Sequence, residues 1–327
     1  MTRDEISLNH ARGFVGGHKK ALLIGINYIG SDHELKGCIQ DVKHMQEFLI
    51  SHRGYTNTPT SMVFMSDEAQ DDHLKPNFKN LVAGFQWLVM GNNPGDQLFL
   101  HYSGHGAQMK SAKHPSGQED CLVPLDYKSA GCIDADFLHR SLVRALPPNV
   151  KLTVVFDCCH SGTMLELPYT YRPNADGEMS AKEVATKVIE EVTSLLKGGF
   201  SFSSMGKVEE LLEDVGELAG LFPHRSEVDV KGYKREHFDS ETDSEMEKPV
   251  VVISGCRDDQ TSADTNVQGY GSTGALSYAV MTVLKQGNVT YDGLLRHIRQ
   301  FMADNRLSQV PQLSCGMEVD PTGTFEF

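Results

Sequence analysis

The sequence predicts an α/β protein with a mostly parallel central sheet flanked by helices. Short apolar runs of strand character alternate with segments of helical periodicity, the pattern of parallel strands joined by helical crossovers. Two of those runs end in small-residue motifs carrying a histidine and a cysteine, and such sheets hold reactive groups in the loops beyond their strands' carboxyl ends. With 327 residues, 39% of them hydrophobic, the chain can bury an ordinary core without a partner.

Residues 1–18 read as a variable N-terminal segment. It opens on polar Thr2-Arg3-Asp4-Glu5 and has no apolar run long enough for a signal or membrane helix. The first strand is Ala21 to Ile26. A helix from Cys38 to Leu49 follows, with Val42, Met45, Phe48 and Leu49 on one stripe. A strand from Ser61 to Met65, a helix from Phe78 to Met90 and a strand from Gln97 to Tyr102 lead to the histidine motif. Leu138 to Leu146 reads as helix, Pro147-Pro148-Asn149 breaks it, and Leu152 to Phe156 is the strand before the cysteine motif.

Residues 19–172 read as a first region that carries both the histidine and the cysteine motif. The pattern loosens over 173–248, an internal excursion with candidate helices at Ala181 to Lys197 and Val208 to Leu221. It ends in a solvated stretch carrying Glu236, Asp239, Glu241, Asp243, Glu245 and Glu247. Residues 249–327 complete the sheet, with a strand at Val250 to Ile253 and helices at Gly274 to Leu284 and Tyr291 to Met302.

A formal charge of −14 argues against nonspecific binding to nucleic acid or anionic membranes, and leaves room for an acidic pocket that selects basic ligands. The seven cysteines lack framework spacing, and Cys158 and Cys159 are adjacent, so a reducing cytoplasm is expected.

The reactive candidates are His105, in His101-Tyr102-Ser103-Gly104-His105-Gly106, and Cys159, in Asp157-Cys158-Cys159-His160-Ser161-Gly162. A thiolate can attack a carbonyl while an imidazole exchanges protons with thiol and leaving group. Cys158 reads as a buried neighbour, because adjacent side chains leave a strand in different directions. A zinc site drawn from Cys158, Cys159, His160, His101 and His105 is the competing reading of the same residues. Asp157, two residues before Cys159, can point its carboxylate into a cleft near the thiol.

These two motifs resemble the paired signatures of the metacaspase family, and Ser254 to Asp264 resembles its small-subunit motif. With no long insertion between well-defined subunits, the chain looks like a type I metacaspase. That resemblance implies a caspase-like fold and a cysteine endopeptidase cutting after Arg or Lys, with His105 as acid/base and Cys159 as nucleophile. It further implies an oxyanion hole from the backbone N–H groups of Gly106 and Cys159, and a substrate pocket from Asp41 and Asp157 with Ser103 and Cys38 at its rim. A catalytically weak caspase-like scaffold is the alternative.

Calcium is the implied activator, with Asp120, Asp136 and Glu166 as ligands. The chain departs from the usual pattern there: Ala135 interrupts the expected acidic pair in Ile133-Asp134-Ala135-Asp136, Asp134 could compensate, and Glu166 stands for the usual aspartate. Self-cleavage in the excursion would use Lys182, Lys187, Lys197 or Lys207. Protein or peptide substrates are the expected partners, with no nucleic acid, no membrane insertion and a monomeric state.

Overall fold

The computed structural model describes residues 17–111, 118–158, 161, 164–171, 248–256, 265–267, 271–305, 307 and 309–326. Its strands in chain order are β1 (Lys19–Gly25), β2 (Met62–Ser66), β3 (Gln97–Ser103), β4 (Gly106–Lys110), β5 (Gln118–Leu122), β6 (Ile133–Asp134) and β7 (Lys151–Asp157). After these come β8 (Tyr169–Tyr171), β9 (Val250–Cys256), β10 (Thr265–Val267), β11 (Gly271–Thr273) and β12 (Val310–Cys315). The helices are α1 (Cys38–Arg53), α2 (Phe78–Val89), α3 (Tyr127–Ala130), α4 (Ala135–Leu138), α5 (Ala275–Lys285) and α6 (Tyr291–Asp304).

Seven strands form the central sheet in the order β2-β1-β3-β7-β9-β12-β8. The first five are parallel, whereas β12 runs antiparallel to β9 and to β8. The expected mostly parallel sheet between helices is therefore the architecture found. β4, β5 and β6 make a separate antiparallel sheet, and β10 pairs with β11.

Strand alternation divides the core between the two faces of the sheet. Leu98, Leu100 and Tyr102 of β3 and Leu152, Val154 and Phe156 of β7 pack with Leu81, Phe85 and Leu88 of α2. On the other face Phe99 and Val155 pack with Val42, Met45 and Phe48 of α1 and with the apolar sides of α5 and α6. Both faces are covered, which is why β1, β3, β7 and β9 read as continuous apolar runs.

One element differs from expectation in kind. Leu138 to Leu146, expected as one α-helix, instead follows a short α turn over Ala135–Leu138, capped where Asp134 accepts from the Phe137 N–H at 2.7 Å, and winds as a π turn over His139–Arg144. The apolar spacing of Leu138, Leu142 and Val143 suits either winding, so periodicity did not separate them. The candidate helices and the basic residues Lys182, Lys187, Lys197 and Lys207 of the excursion lie outside the described residues.

Candidate active site

From β1 the sheet grows towards β2 on one side and towards β3 and β7 on the other, so the carboxyl ends of β1 and β3 flank a topological switch point. His105 follows β3 at that end. Its N–H donates to the Tyr28 hydroxyl at 3.0 Å, and its carbonyl accepts from the Tyr102 hydroxyl at 2.7 Å. The Tyr28 hydroxyl in turn donates to the Val123 carbonyl at 2.7 Å, and its ring lies 4.6 Å from the imidazole. Burial pushes both phenols well above their ordinary pKa, so they act as neutral hydrogen-bonding groups.

The imidazole Nε2 lies 2.8 Å from the His33 carbonyl oxygen. A carbonyl can only accept, so Nε2 carries the proton and Nδ1 the lone pair of the neutral ring. That tautomer presents Nδ1 as the base. Tyr28 sits at φ 53°, left-handed backbone that costs a bulky side chain on the order of 1–3 kcal/mol. The bonds through its hydroxyl keep it there, so local strain supports the histidine cradle.

Cys159 and His160 lie outside the described residues, as do 162 and 163. Their neighbours are firmly held. Cys158 is buried in the cluster containing Tyr28 and Tyr102, as alternation predicts, and the Ser161 hydroxyl reaches the carbonyls of Cys158 and Gly255 at 3.1 and 3.2 Å. Gly106 opens β4 directly after His105. Among the described residues no three Asp, Glu, His or Cys side chains are arranged to hold a metal ion, and His101 and His105 turn to different partners, Ser277 and His33.

The acidic pocket candidates converge. Ser103 and Asp157 are register neighbours on β3 and β7, and Asp41 projects from the first turn of α1. The Ser103 hydroxyl donates to Asp41 Oδ2 at 2.9 Å, the Gly274 N–H donates to Asp41 Oδ1 at 2.7 Å, and the Ser277 N–H donates to Asp157 Oδ2 at 2.8 Å. A Cβ on Gly274 would stand 2.7 Å from Asp41 Oδ2 and 2.2 Å from Asp157 Oδ2. The two carboxylates thus lie within about 5 Å of each other, close enough for mutual repulsion that the N-terminus of α5 and a bound cation would both relieve. Cys38 is buried at the start of α1.

A second acidic group lies on β5, β6, the short helix α4 and the loop after β7. Burial, followed by the carboxylates of Glu119, Asp136, Asp134 and Asp120, pushes Glu166 up to about 7, and burial pushes Asp134 up to about 6. Glu166 also has left-handed backbone at φ 47°, beside the Leu165 carbonyl that lies 2.7 Å from His139 Nδ1. Asp120 accepts from the Gln108 amide at 3.1 Å, Asp136 pairs with Arg140 at 3.2 Å, and Glu119 accepts from the Asp136 N–H at 2.8 Å. By chemistry this oxygen-only, mutually repelling set fits a hard cation, although its carboxylates must turn from these partners to share one.

Sequence reasoning missed Tyr28 and His33 around the histidine, Gly274 and Ser277 around the pocket, and Glu119 in the second acidic group. Only Gly274 carried a signal, as a glycine at a predicted helix start.

A family model described as the metacaspase, peptidase C14 domain matches residues 19–168. Metacaspase-1 of Schizosaccharomyces pombe is 39% identical over 307 residues, covering 93% of this chain and 68% of that protein. The chain belongs to the metacaspase family. Metacaspase-1 of Mycosarcoma maydis is 40% identical over 307 residues, covering 93% of this chain and 72% of the relative. A crystal structure of a Geobacter sulfurreducens protein shares the fold, with a TM-score of 0.52 at 19% identity over 93% of this chain and 95% of that one. Membership in this peptidase family makes the metacaspase chain a cysteine peptidase acting on protein substrates.

Proposed function

We propose that the chain is an endopeptidase that hydrolyses peptide bonds after Arg or Lys, with Cys159 as nucleophile and His105 as acid and base. His105 Nδ1 takes the thiol proton as sulfur attacks the scissile carbonyl, whose oxyanion is stabilised by the N–H groups of Gly106 and Cys159. The proton then passes to the departing amine, leaving a thioester. Water attacks that thioester, gives a proton to His105 and restores the thiol.

The observation carrying the basic preference is the convergence of Asp41 and Asp157 on Gly274 at the same end of the sheet as His105. A cationic P1 side chain offsets two neighbouring carboxylates, whereas an acidic one adds to the repulsion. Ser103 holds Asp41, and buried Cys38 lies near the start of the same helix. The test is Asp157→Ala, assayed after a check of its melting transition. A fall of about 10²-fold or more in kcat/KM for Arg-P1 and Lys-P1 peptides supports the pocket. A folded variant with unchanged basic preference and efficiency refutes it.

Calcium is proposed as the activator. Asp120, Asp136 and Glu166 would hold it, with Asp134 and Glu119 adjoining, and its charge would offset their repulsion and order the loop after the cysteine motif. Cleavage at basic residues of the excursion, a monomeric state and a cytoplasmic setting complete the proposal. For the monomer, β3, β7 and β9 of one sheet bring the motifs together, and β8 covers β12. For the cytoplasm, Cys38, Cys121, Cys132, Cys158 and Cys315 are outside disulfides. No helix among the described residues is long and apolar enough to cross a membrane.

A further inference from the structure

The first histidine of the histidine motif, His101, is not part of the proposed chemistry. It lies in the middle of β3, fully buried, on the face that also presents Ser103 two residues later. Its Nε2 is 2.8 Å from the Ser277 hydroxyl, and its Nδ1 has no hydrogen-bond partner among the described residues. A polar ring is thus buried for a single bond. Ser277 is also fully buried and is the third residue of α5.

Ser277 meets two parts of the sheet at once. Its side chain bonds His101 on β3, and its N–H donates to Asp157 at the end of β7. The N-cap of α5, Gly274, provides no side-chain cap, so the first-turn amides that lack a partner within the helix are taken by Asp41 and Asp157 from outside it. The helix turn and the two carboxylates therefore position each other.

Most of α5 packs through Ala275, Leu276, Ala279, Val280, Val283 and Leu284. Apolar packing has little directionality, and it tolerates small slides and rotations of a helix that would carry the amides at 274 and 277 out of line. The His101–Ser277 bond is directional and ties that first turn to the centre of the sheet. Burial holds the His101 pKa at about 3, so the ring stays neutral and does not compete with a cationic side chain for the carboxylates.

We propose that His101 and Ser277 are positioning residues for P1 selection, fixing the first turn of α5 so that Asp41 and Asp157 meet a basic side chain together. The proposal rests on the basic-P1 reading of those two carboxylates given above. Neither residue touches substrate; they act through the amides of α5.

The test compares Arg-P1 peptides with citrulline-P1 peptides, which keep the shape and lose the charge, in the wild type and in Ser277→Ala, His101→Leu and His101→Gln. Thermal melts establish the folded fraction of each. Ser277→Ala and His101→Leu should lower the Arg-to-citrulline ratio of kcat/KM about tenfold, mostly through a higher KM for the Arg peptide, with kcat moving less than about threefold. His101→Gln, which offers an amide where Nε2 stands, should recover most of the ratio.

Unchanged ratios in Ser277→Ala, with activity lost only in proportion to folded protein, would overturn the proposal while leaving the pocket reading intact. A wild type without preference for Arg over citrulline would overturn the pocket reading, and this inference with it. Should His101→Leu not fold, Ser277→Ala decides, since it only removes one buried oxygen.

Discussion

Replacing Gly274 by alanine tests the pocket with one methyl group. Gly274 has φ −67° and ψ 130°, backbone that alanine adopts readily, so no conformational penalty masks the steric effect. The new Cβ would stand 2.2 Å from Asp157 Oδ2, 2.7 Å from Asp41 Oδ2 and 2.8 Å from Asp157 Cγ, and side-chain contacts under 3.0 Å are essentially never seen. Neither carboxylate can simply retreat. Asp41 is 1% exposed and bound to Ser103 and to the Gly274 N–H, while Asp157 is bound to the Ser277 N–H.

Either the first turn of α5 lifts or the carboxylates swing away, and both outcomes break the two backbone-to-carboxylate bonds. A hydrogen bond to a charged group contributes about 1.5–3 kcal/mol; because water reaches part of Asp157, the expected loss is about 2–4 kcal/mol in total. Displacement near 1 Å in a binding site lowers kcat/KM by about 10²-fold. Urea unfolding and steady-state cleavage of an Arg-P1 peptide measure the two effects. A variant within about 0.5 kcal/mol of wild-type stability and within threefold of its kcat/KM would refute the reasoning.

Three further outcomes follow from groups elsewhere in the fold. Tyr28→Phe removes the hydroxyl that accepts from the His105 N–H and donates to Val123, so stability should fall by about 1–3 kcal/mol and kcat about tenfold; wild-type kcat would exclude Tyr28 from positioning the histidine. Lys151 is buried, and desolvation lowers its pKa from 10.5 to about 8, so the folded state binds fewer protons than the unfolded chain between those values. The Lys151 contribution to stability should therefore rise by about 1 kcal/mol from pH 8 to 9, read as the wild-type slope minus that of Lys151→Met because Cys315, pushed up from 9.0 to about 12, contributes with the opposite sign in the same window; equal slopes would refute the assignment. Glu166 has the reverse sign: its folded pKa is raised from 4.5 to about 7, so calcium-free stability should fall as pH rises through that window, and apparent calcium affinity should weaken up to about tenfold per unit below pH 7. Calorimetric titration at pH 6 and 8, with Glu166→Gln as control, tests this; equal affinities at both values would refute it.

The central strands were legible because burial on both faces leaves an unbroken apolar signature, as in Leu152 to Phe156. β12 was not. Its Val310-Pro311-Gln312-Leu313-Ser314-Cys315 lacks a run, yet Gln312 and Ser314 are buried and bonded to each other at 3.1 Å while the strand pairs antiparallel with β9. Proline and paired polar groups hide such a strand from pattern reading.

At the site, His105 and Asp157 were legible because small-residue motifs follow apolar runs. Asp41 emerged through family resemblance, since helix α1 alone gives no reason for its direction. Tyr28 and Ser277 left no local signal: their roles come from bonds spanning 77 and 176 residues of chain. Spacing along the sequence is silent about contacts made only when the sheet assembles.

The central claim is peptide hydrolysis by Cys159 beside a basic-selective pocket, and mass-spectrometric mapping of cut sites in a mixed peptide pool tests it most directly. Reduced wild-type protein, assayed with calcium, should cut after Arg and Lys, and Cys159→Ala should leave the pool intact. Cuts confined to positions after Asp, or an undiminished cleavage pattern from Cys159→Ala, would contradict the account.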